Sequence, residues 1–340
     1  MKKLFLAAMA TVLLGLTNGF ATNPYLADTI AVDTVKNWTF GGFTSLQLNQ
    51  VALVNWNAGG ENSFSATALG QVFANYKKGK WAWENRLDLG YGTLYSKTFG
   101  WQKNEDKIDL LSKAKRSIGQ SKFSYAGEMN FKTQFAPGYT LPDDSTIISR
   151  FMAPGYLLLS VGIDYKPADW ISFYFSPATG KFTFVTDQSL ADQGSFGVEA
   201  AVYDTAGVRT TKGANFRAEF GAYFSMSIKK DIMKNISLVT DVNLFNNYTD
   251  KDKENRKKVD VDWQTSINMK VNKFITVSLF THLIYDFNIK QKVFDKNDNA
   301  VYQVDENGIF VLNTDGEKVQ KNDALIQFKE VLGVGFSYKF

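Results

Sequence analysis

The feature that most constrains this chain is a two-residue alternation of apolar and polar side chains, sustained over segments of about ten residues and more. From Phe216 to Ile228 one face reads Phe216, Ala218, Phe220, Ala222, Phe224, Met226 and Ile228, and the other Arg217, Glu219, Gly221, Tyr223, Ser225 and Ser227. From Val259 to Val271 the apolar face is Val259, Val261, Trp263, Thr265, Ile267, Met269 and Val271, set against Asp260, Asp262, Gln264, Ser266, Asn268 and Lys270. Successive side chains of a strand point to opposite faces of its sheet, so this period means strand, not helix. A soluble sandwich of this size would show shorter strands, or some with both faces apolar. Long strands with one polar face are the pattern of a barrel with hydrocarbon outside and a polar lumen. Closing the sheet also satisfies every backbone group without a free edge. The expectation is an all-β fold, a closed antiparallel transmembrane β-barrel.

The alternation predicts about twelve strands, near 38–49, 63–77, 81–96, 105–115, 122–135, 156–166, 170–177, 215–228, 236–249, 258–271, 274–289 and 323–340. The thinnest is 105–115, whose outward set is Ile108, Leu110, Ser112 and Ala114; it is kept because the even count depends on it. Tight polar connections at Lys78-Gly79-Lys80, Arg116–Ser121, Pro167-Ala168-Asp169, Lys229–Asn235 and Asn272-Lys273 alternate with longer ones, among them 136–155, 178–214 and 290–322. Short periplasmic turns and long extracellular loops account for this asymmetry, with both termini in the periplasm.

The two ends agree with that compartment. Met1-Lys2-Lys3, the apolar run Leu4–Leu16, and small residues at Gly19 and Ala21 read as a secretory signal peptide over 1–21, cut after Ala21. Residues 22–37 then form a periplasmic linker and 38–340 the barrel domain. Val334, Phe336, Tyr338 and Phe340 alternate with Gly335, Ser337 and Lys339. Alternating aromatics ending in Phe resemble the signal read by the barrel-assembly machinery, so Phe336, Tyr338 and Phe340 are the candidate assembly signal. The expected partners are that machinery, the lipid of the cell outer membrane, and a small solute or cation.

Composition removes several alternatives. The formal charge of +4 falls to +2 once Lys2 and Lys3 leave with the signal, which gives no case for nucleic acid. The chain has no Cys, so disulfides, thiolate metal sites and lipidation at a Cys are excluded. It has one His, His282, which excludes multi-His metal sites. No cofactor is implied. Asp295-Lys296-Asn297-Asp298-Asn299 with Glu306 approaches a calcium loop, but Ala300 stands where the turn needs glycine; a meandering extracellular β-extension is the reading.

Three stretches carry a resemblance: Asn55-Trp56-Asn57-Ala58-Gly59-Gly60-Glu61-Asn62-Ser63, Thr133-Gln134-Phe135-Ala136-Pro137-Gly138-Tyr139, and Pro154-Gly155-Tyr156. They resemble an uncharacterised Bacteroidetes-type outer-membrane family known only as a domain of unknown function. The likeness runs over nearly the whole mature chain. It implies a barrel and a compartment, and no activity.

The chemistry then rests on inward-facing residues. Arg217, Glu219, Asp241, Asp260, Asp262, His282 and Asp286 all fall on lumen faces. A three-residue turn that includes Phe274 pairs Val271 with Ile275, which sets Asp260 opposite Asp286 and His282 opposite Gln264. With Arg217 as the only base at that height, like carboxylates recruit a cation; an internal salt-bridge network is the alternative. The reading is therefore a pore, an uptake or binding protein, or a structural wall protein with a polar, acid-rich lumen. The alternative is a barrel-embedded hydrolase of lipase or protease type using lumen carboxylates and His282. Against it, His282 faces away from lipid, and Asp286 lies about 13 Å along the same strand. Phe340→Ala is expected to lower the amount of assembled barrel severalfold, measured as folded protein in the outer-membrane fraction; wild-type levels would show that insertion does not read this residue.

Overall fold

The computed structural model describes residues 37–53, 61–140, 145–272, 275–297, 299–306, 308–312 and 316–339. The signal segment, residues 22–36 of the linker, Asn55–Gly60 of the resemblance and Phe340 lie outside the described residues. Twelve long strands build the molecule: β1 Trp38–Val51, β2 Ser63–Lys78, β3 Trp81–Ser96, β4 Gly100–Ser117, β5 Phe123–Thr133, β6 Gly155–Ala168, β7 Ile171–Phe184, β8 Phe216–Met233, β9 Ile236–Asn247, β10 Asp260–Lys270, β11 Ile275–Tyr285 and β12 Gln327–Lys339. Each pairs antiparallel with its neighbours in sequence, and β1 closes on β12, from Phe43 opposite Lys339 to Gln47 opposite Gly335. The result is a closed up-and-down barrel. Among the described residues no helix is long and apolar enough to cross a membrane.

The faces follow the alternation. On β8, Phe216 and Phe220 are 49% and 48% exposed on the outside, whereas Glu219 and Tyr223 between and beyond them are 4% and 7% exposed and point inward. Outward aromatics gather at both rims. At the end with the tight turns Trp38 packs against Tyr76 and Trp83, and Phe123 stacks on Tyr165 at 4.4 Å. At the opposite rim Tyr95 meets Trp101, and Phe216 meets Phe182 and Phe184.

The thin segment 105–115 turns out to be the middle of β4, at 18 residues one of the two longest strands. Its pattern is blurred because Ser112 sits on the outer face. That hydroxyl accepts a hydrogen bond from Trp83 Nε1 (2.8 Å) and donates one to Asn85 Oδ1 (2.8 Å), so it is satisfied without water. Since β4 starts at Gly100, its link to β3 is only 97–99. Strict alternation of short and long connections therefore fails there, while the other loop-end connections stay long.

Strand β7 departs further from expectation. Tyr174 and Ser176 face inward, and so do Thr179, Lys181 and Thr183, so the inward parity changes across Pro177-Ala178. A proline cannot donate to the ladder, and the bulge it occupies inserts a residue. Register shifts appear on both neighbours, between Val161 and Ile163 and between Gly221 and Tyr223. Ser176 Oγ donates to the carbonyls of Val161 (2.8 Å) and Ala178 (3.0 Å), filling bonds the bulge leaves open. Gly162 is needed beside it, since a Cβ there would run into the Phe175 carbonyl oxygen. Reading alternation alone ends this strand at 177; the structure carries it to Phe184.

Loop-end segments form a cap with a small core of its own, Ala153, Val185, Leu190, Ala191 and Val198. Asp187 caps the one-turn helix Gln188–Asp192 through Ser189 N (3.0 Å) and Leu190 N (3.2 Å) and holds Arg150 at 2.7 Å. The Gly213 N–H, then Gln188 and Arg209, keep the half-buried Asp192 carboxyl below its ordinary range. Between 293 and 321 the described residues pair as short hairpins, with Asp295 and Asp305 accepting backbone N–H bonds in their turns. Charge on the outer wall has no partner in hydrocarbon. Phe224→Asp is therefore expected to destabilise the lipid-reconstituted barrel by up to about 2 kcal/mol beyond Phe224→Ala, and Ser266→Asp, facing the lumen, by much less. Equal denaturant midpoints for the two Asp variants would contradict the face assignment.

Candidate functional site

Ion pairs bridge the lumen from wall to wall. In the ring of twelve strands β5 and β10 stand five positions apart, nearly opposite, yet Lys132 Nζ on β5 reaches Asp262 Oδ2 on β10 at 2.9 Å. Lys181 on β7 reaches Asp260 Oδ2 on β10 at 2.8 Å and Asp286 Oδ2, just past β11, at 2.9 Å, with Glu219 Oε2 at 3.9 Å. Lys329 on β12 pairs with Glu105 on β4, four positions away. These pairs cross the loop-side half of the lumen, next to the cap. Nearer the turn end, Tyr174 and Ala126 pack with Tyr223 and Phe245 along the β5–β9 wall, with the Lys113 ammonium 4.0 Å from the Tyr174 ring centre and bonded to Asp164 (2.9 Å) and Glu128 (3.3 Å).

The structure sorts the sequence candidates into two groups. Arg217, Glu219, Asp260, Asp262, His282 and Asp286 meet in the bridged region. Arg217 bonds Glu219 at 2.8 Å and the Gly197 carbonyl of the cap at 3.1 Å; Asn247 Nδ2 donates to Glu219 at 3.0 Å. Gln264 is opposite His282, and Val271 N donates to Ile275 O at 3.0 Å, the register expected from the three-residue turn. Asp241 is not brought into this group; it lies opposite Gln264 and Ser227, nearer the turn end. Phe336 faces outward at 38% exposure, and the backbone of Tyr338 pairs with Thr44.

One expectation is corrected. Arg217 is not the only base at its height, because Lys181 and Lys132 stand among the acids, and the carboxylates are held by ion pairs within the chain. Lys181 was missed because the bulge at Pro177 hides the second half of β7; Lys132 faces inward on a recognised strand, but nothing in the sequence says that it meets the far wall. The open part of the lumen is balanced in charge. The side chains lining its open part include Glu84, Asp88, Glu105, Asp169 and Asp241, balanced by Arg86, Lys107, Lys115, Lys166 and Lys229.

His282 has a carboxylate after all, from the neighbouring strand: its Nε2 lies 2.8 Å from Asp262 Oδ1, which also accepts from Gln264 at 3.2 Å. Among the described residues no serine or threonine hydroxyl is bonded to the ring, so this is a His–Asp pair without a nucleophile. No group of three or more metal-ligating side chains occurs among the described residues.

Below the bridges the lumen opens into a cavity of about 620 Å³ that reaches the turn end at Asp169 and Trp170. Its walls carry neutral hydrogen-bonding groups such as Gln47, Thr67, Gln71, Gln264, Ser266 and Asn268. Asn268 Oδ1 accepts from Ser278 Oγ at 2.7 Å.

Residues 48–139 match the model of a family described as Protein of unknown function (DUF3078). That span includes the first two stretches of the resemblance and stops short of Pro154-Gly155-Tyr156. No curated protein matches the chain in sequence. Among solved structures the chain is similar to an outer membrane channel from Pseudomonas putida F1, at 10% identity over 94% of this chain and 100% of that one, with a TM-score of 0.38. It is also similar to the NanC porin, at 9% identity over 87% and 98% with a TM-score of 0.34, and to a FadL homologue of Pseudomonas aeruginosa, at 10% identity over 88% and 89% with a TM-score of 0.30. The fold assignment rests on the strand pairing itself.

Removing one partner of a buried ion pair leaves the other charge uncompensated. Lys181→Met is expected to cost about 3–5 kcal/mol, read as the unfolding midpoint of the barrel in detergent. Adding Asp260→Asn and Asp286→Asn should recover most of it. A single variant as stable as the wild type would mean that Lys181 does not hold these acids together.

Proposed function

We propose that this chain is an outer-membrane β-barrel whose lumen is a narrow passage for small polar solutes, closed on the loop side by its transluminal ion pairs. The tight-turn end faces the periplasm and the capped end the outside, with residues 1–21 removed on export. One observation carries the reading: a cavity of about 620 Å³ lined by charged, amide, hydroxyl and apolar side chains runs inside the wall from the turn end toward the level where side chains bridge the lumen, with Glu105 of the Lys329 pair among its lining residues. Side-chain bridges open by rotamer changes, which leave the strand ladder intact. The apolar outer wall between two aromatic rims supports the membrane setting.

A purely structural wall protein has no use for a cavity balanced in charge and rich in amides and hydroxyls. A hydrolase would need a nucleophile on the His282–Asp262 pair. The test is single-channel recording on the folded protein in planar bilayers. Wild type is expected to give small, infrequent steps. Lys132→Ala combined with Asp262→Asn removes both charges of the farthest-reaching bridge together, with Lys107 and Asn130 still holding Asp109, and conductance should rise roughly twofold or more. Unchanged conductance in a variant that stays folded would overturn the reading.

A further inference from the structure

Ten charged side chains line the cavity, and eight of them are spent on ion pairs: Glu84 with Lys115, Arg86 with Asp88, Lys107 with Asp109, Lys166 with Asp169, and Glu105 with Lys329. The two left over are of opposite sign, Lys229 on β8 and Asp241 on β9. Neither has a side-chain ion pair or hydrogen bond within the described structure. They stand on adjacent strands at nearly one height, because Lys229 is opposite Val239 and Asp241 opposite Ser227. That is a diagonal relation, with about 7–8 Å between the two positions.

We propose that this part of the cavity is a binding site for a small zwitterion, a free amino acid or a short peptide. Its ammonium is held by Asp241 and its carboxylate by Lys229. The inference rests on reading the cavity as a solute passage and names the solute class.

Two opposite charges that face an open cavity, and do not close on each other, match a ligand carrying both charges at its two ends. Such a ligand trades the water on both groups for two charge-assisted hydrogen bonds. A neutral sugar would displace that water and leave both charges unpaired, which costs free energy. A dianion would satisfy Lys229 and be repelled by Asp241, and a diamine the reverse. On the adjoining strands the groups beside them are neutral donors and acceptors, Ser227 and Gln264, each opposite Asp241, and Ser266, opposite Val239, while the charged neighbours in the cavity, Arg86, Asp88 and Glu84, are already held in ion pairs. The neutral groups suit the amide and the polar centre of such a solute. The site lies on the turn-end side of the ion-pair roof, so it is reached from the end where Asp169 and Trp170 line the opening.

Isothermal titration calorimetry on the folded protein in detergent tests this without requiring conduction. L-alanyl-L-alanine and L-alanine are the probes, and their relative affinity tells a peptide site from an amino-acid site. N-acetyl-alanine amide, succinate, putrescine and maltose are the comparisons. The zwitterions should bind, and the comparisons at least tenfold more weakly. Lys229→Met and Asp241→Asn should each weaken alanyl-alanine tenfold or more, and the swap Lys229→Asp with Asp241→Lys should restore it. Heat-modifiable migration checks that each variant is folded, and the wild-type ligand series decides the matter even if one is not. Equal binding of maltose, no binding of either zwitterion, or full affinity in both single variants overturns the proposal. Binding without channel activity would remove the channel reading and leave this site standing; channel activity without binding would do the opposite.

Discussion

The backbone ladder between Phe43–Gln47 and Gly335–Lys339 is the contact on which everything else in this barrel depends. A wall with an apolar exterior has no water on that side to satisfy an open edge, so the sheet must close on itself. Closure brings the first and last strands together across the whole length of the chain. It also fixes the ring at twelve strands, and so decides which side chains share the lumen and how far apart the walls stand.

A ring of this size is narrow enough for long basic side chains on one wall to reach acids on another. Lys132 and Asp262 meet across it, and Lys181 gathers Asp260, Asp286 and Glu219. Each pair serves two ends. It neutralises charges that the loop-side half of the lumen would otherwise bury unpaired, and it spans the lumen at that level. The cap adds to both effects, since Arg217 joins the Glu219 carboxylate to the Gly197 carbonyl. Toward the turn end the pairs run mostly along one wall, the walls are not bridged, and the cavity remains.

Much of the fold could be read from residues. The β3 bounds were legible at 81–96, because Trp81, Trp83, Leu87, Leu89, Tyr91 and Tyr95 share one face, broken only by Asn85 and Thr93, next to a turn with glycine at positive φ, Gly79. β4 was legible only in part, because an outward serine satisfied by its neighbours looks in sequence like an inward one. β7 was cut short, because a bulge changes which parity faces inward and a pattern search stops there. The candidate site suffered from the same cause. Six of the seven inward residues do share one region, but the bases that define it, Lys181 and Lys132, were not singled out.

By itself the sequence determined that the chain forms long strands with one apolar face, about how many there are, and which rim carries the long connections. These are local properties, set by the two-residue period of the backbone and by turn chemistry, and each window of residues contains its own evidence. Only the tertiary structure decided which charges meet: that Lys132 finds Asp262, that Asp262 and not Asp286 holds His282, and that Lys229 and Asp241 stand on adjacent strands in one cavity with no side-chain ion pair among the described residues. Those pairings depend on the number of strands between two residues, on the stagger of each ladder and on one inserted residue at Pro177. Such quantities exist only once the ring is closed, because a side chain's reach across a lumen is a distance through space and leaves no periodic trace along the chain.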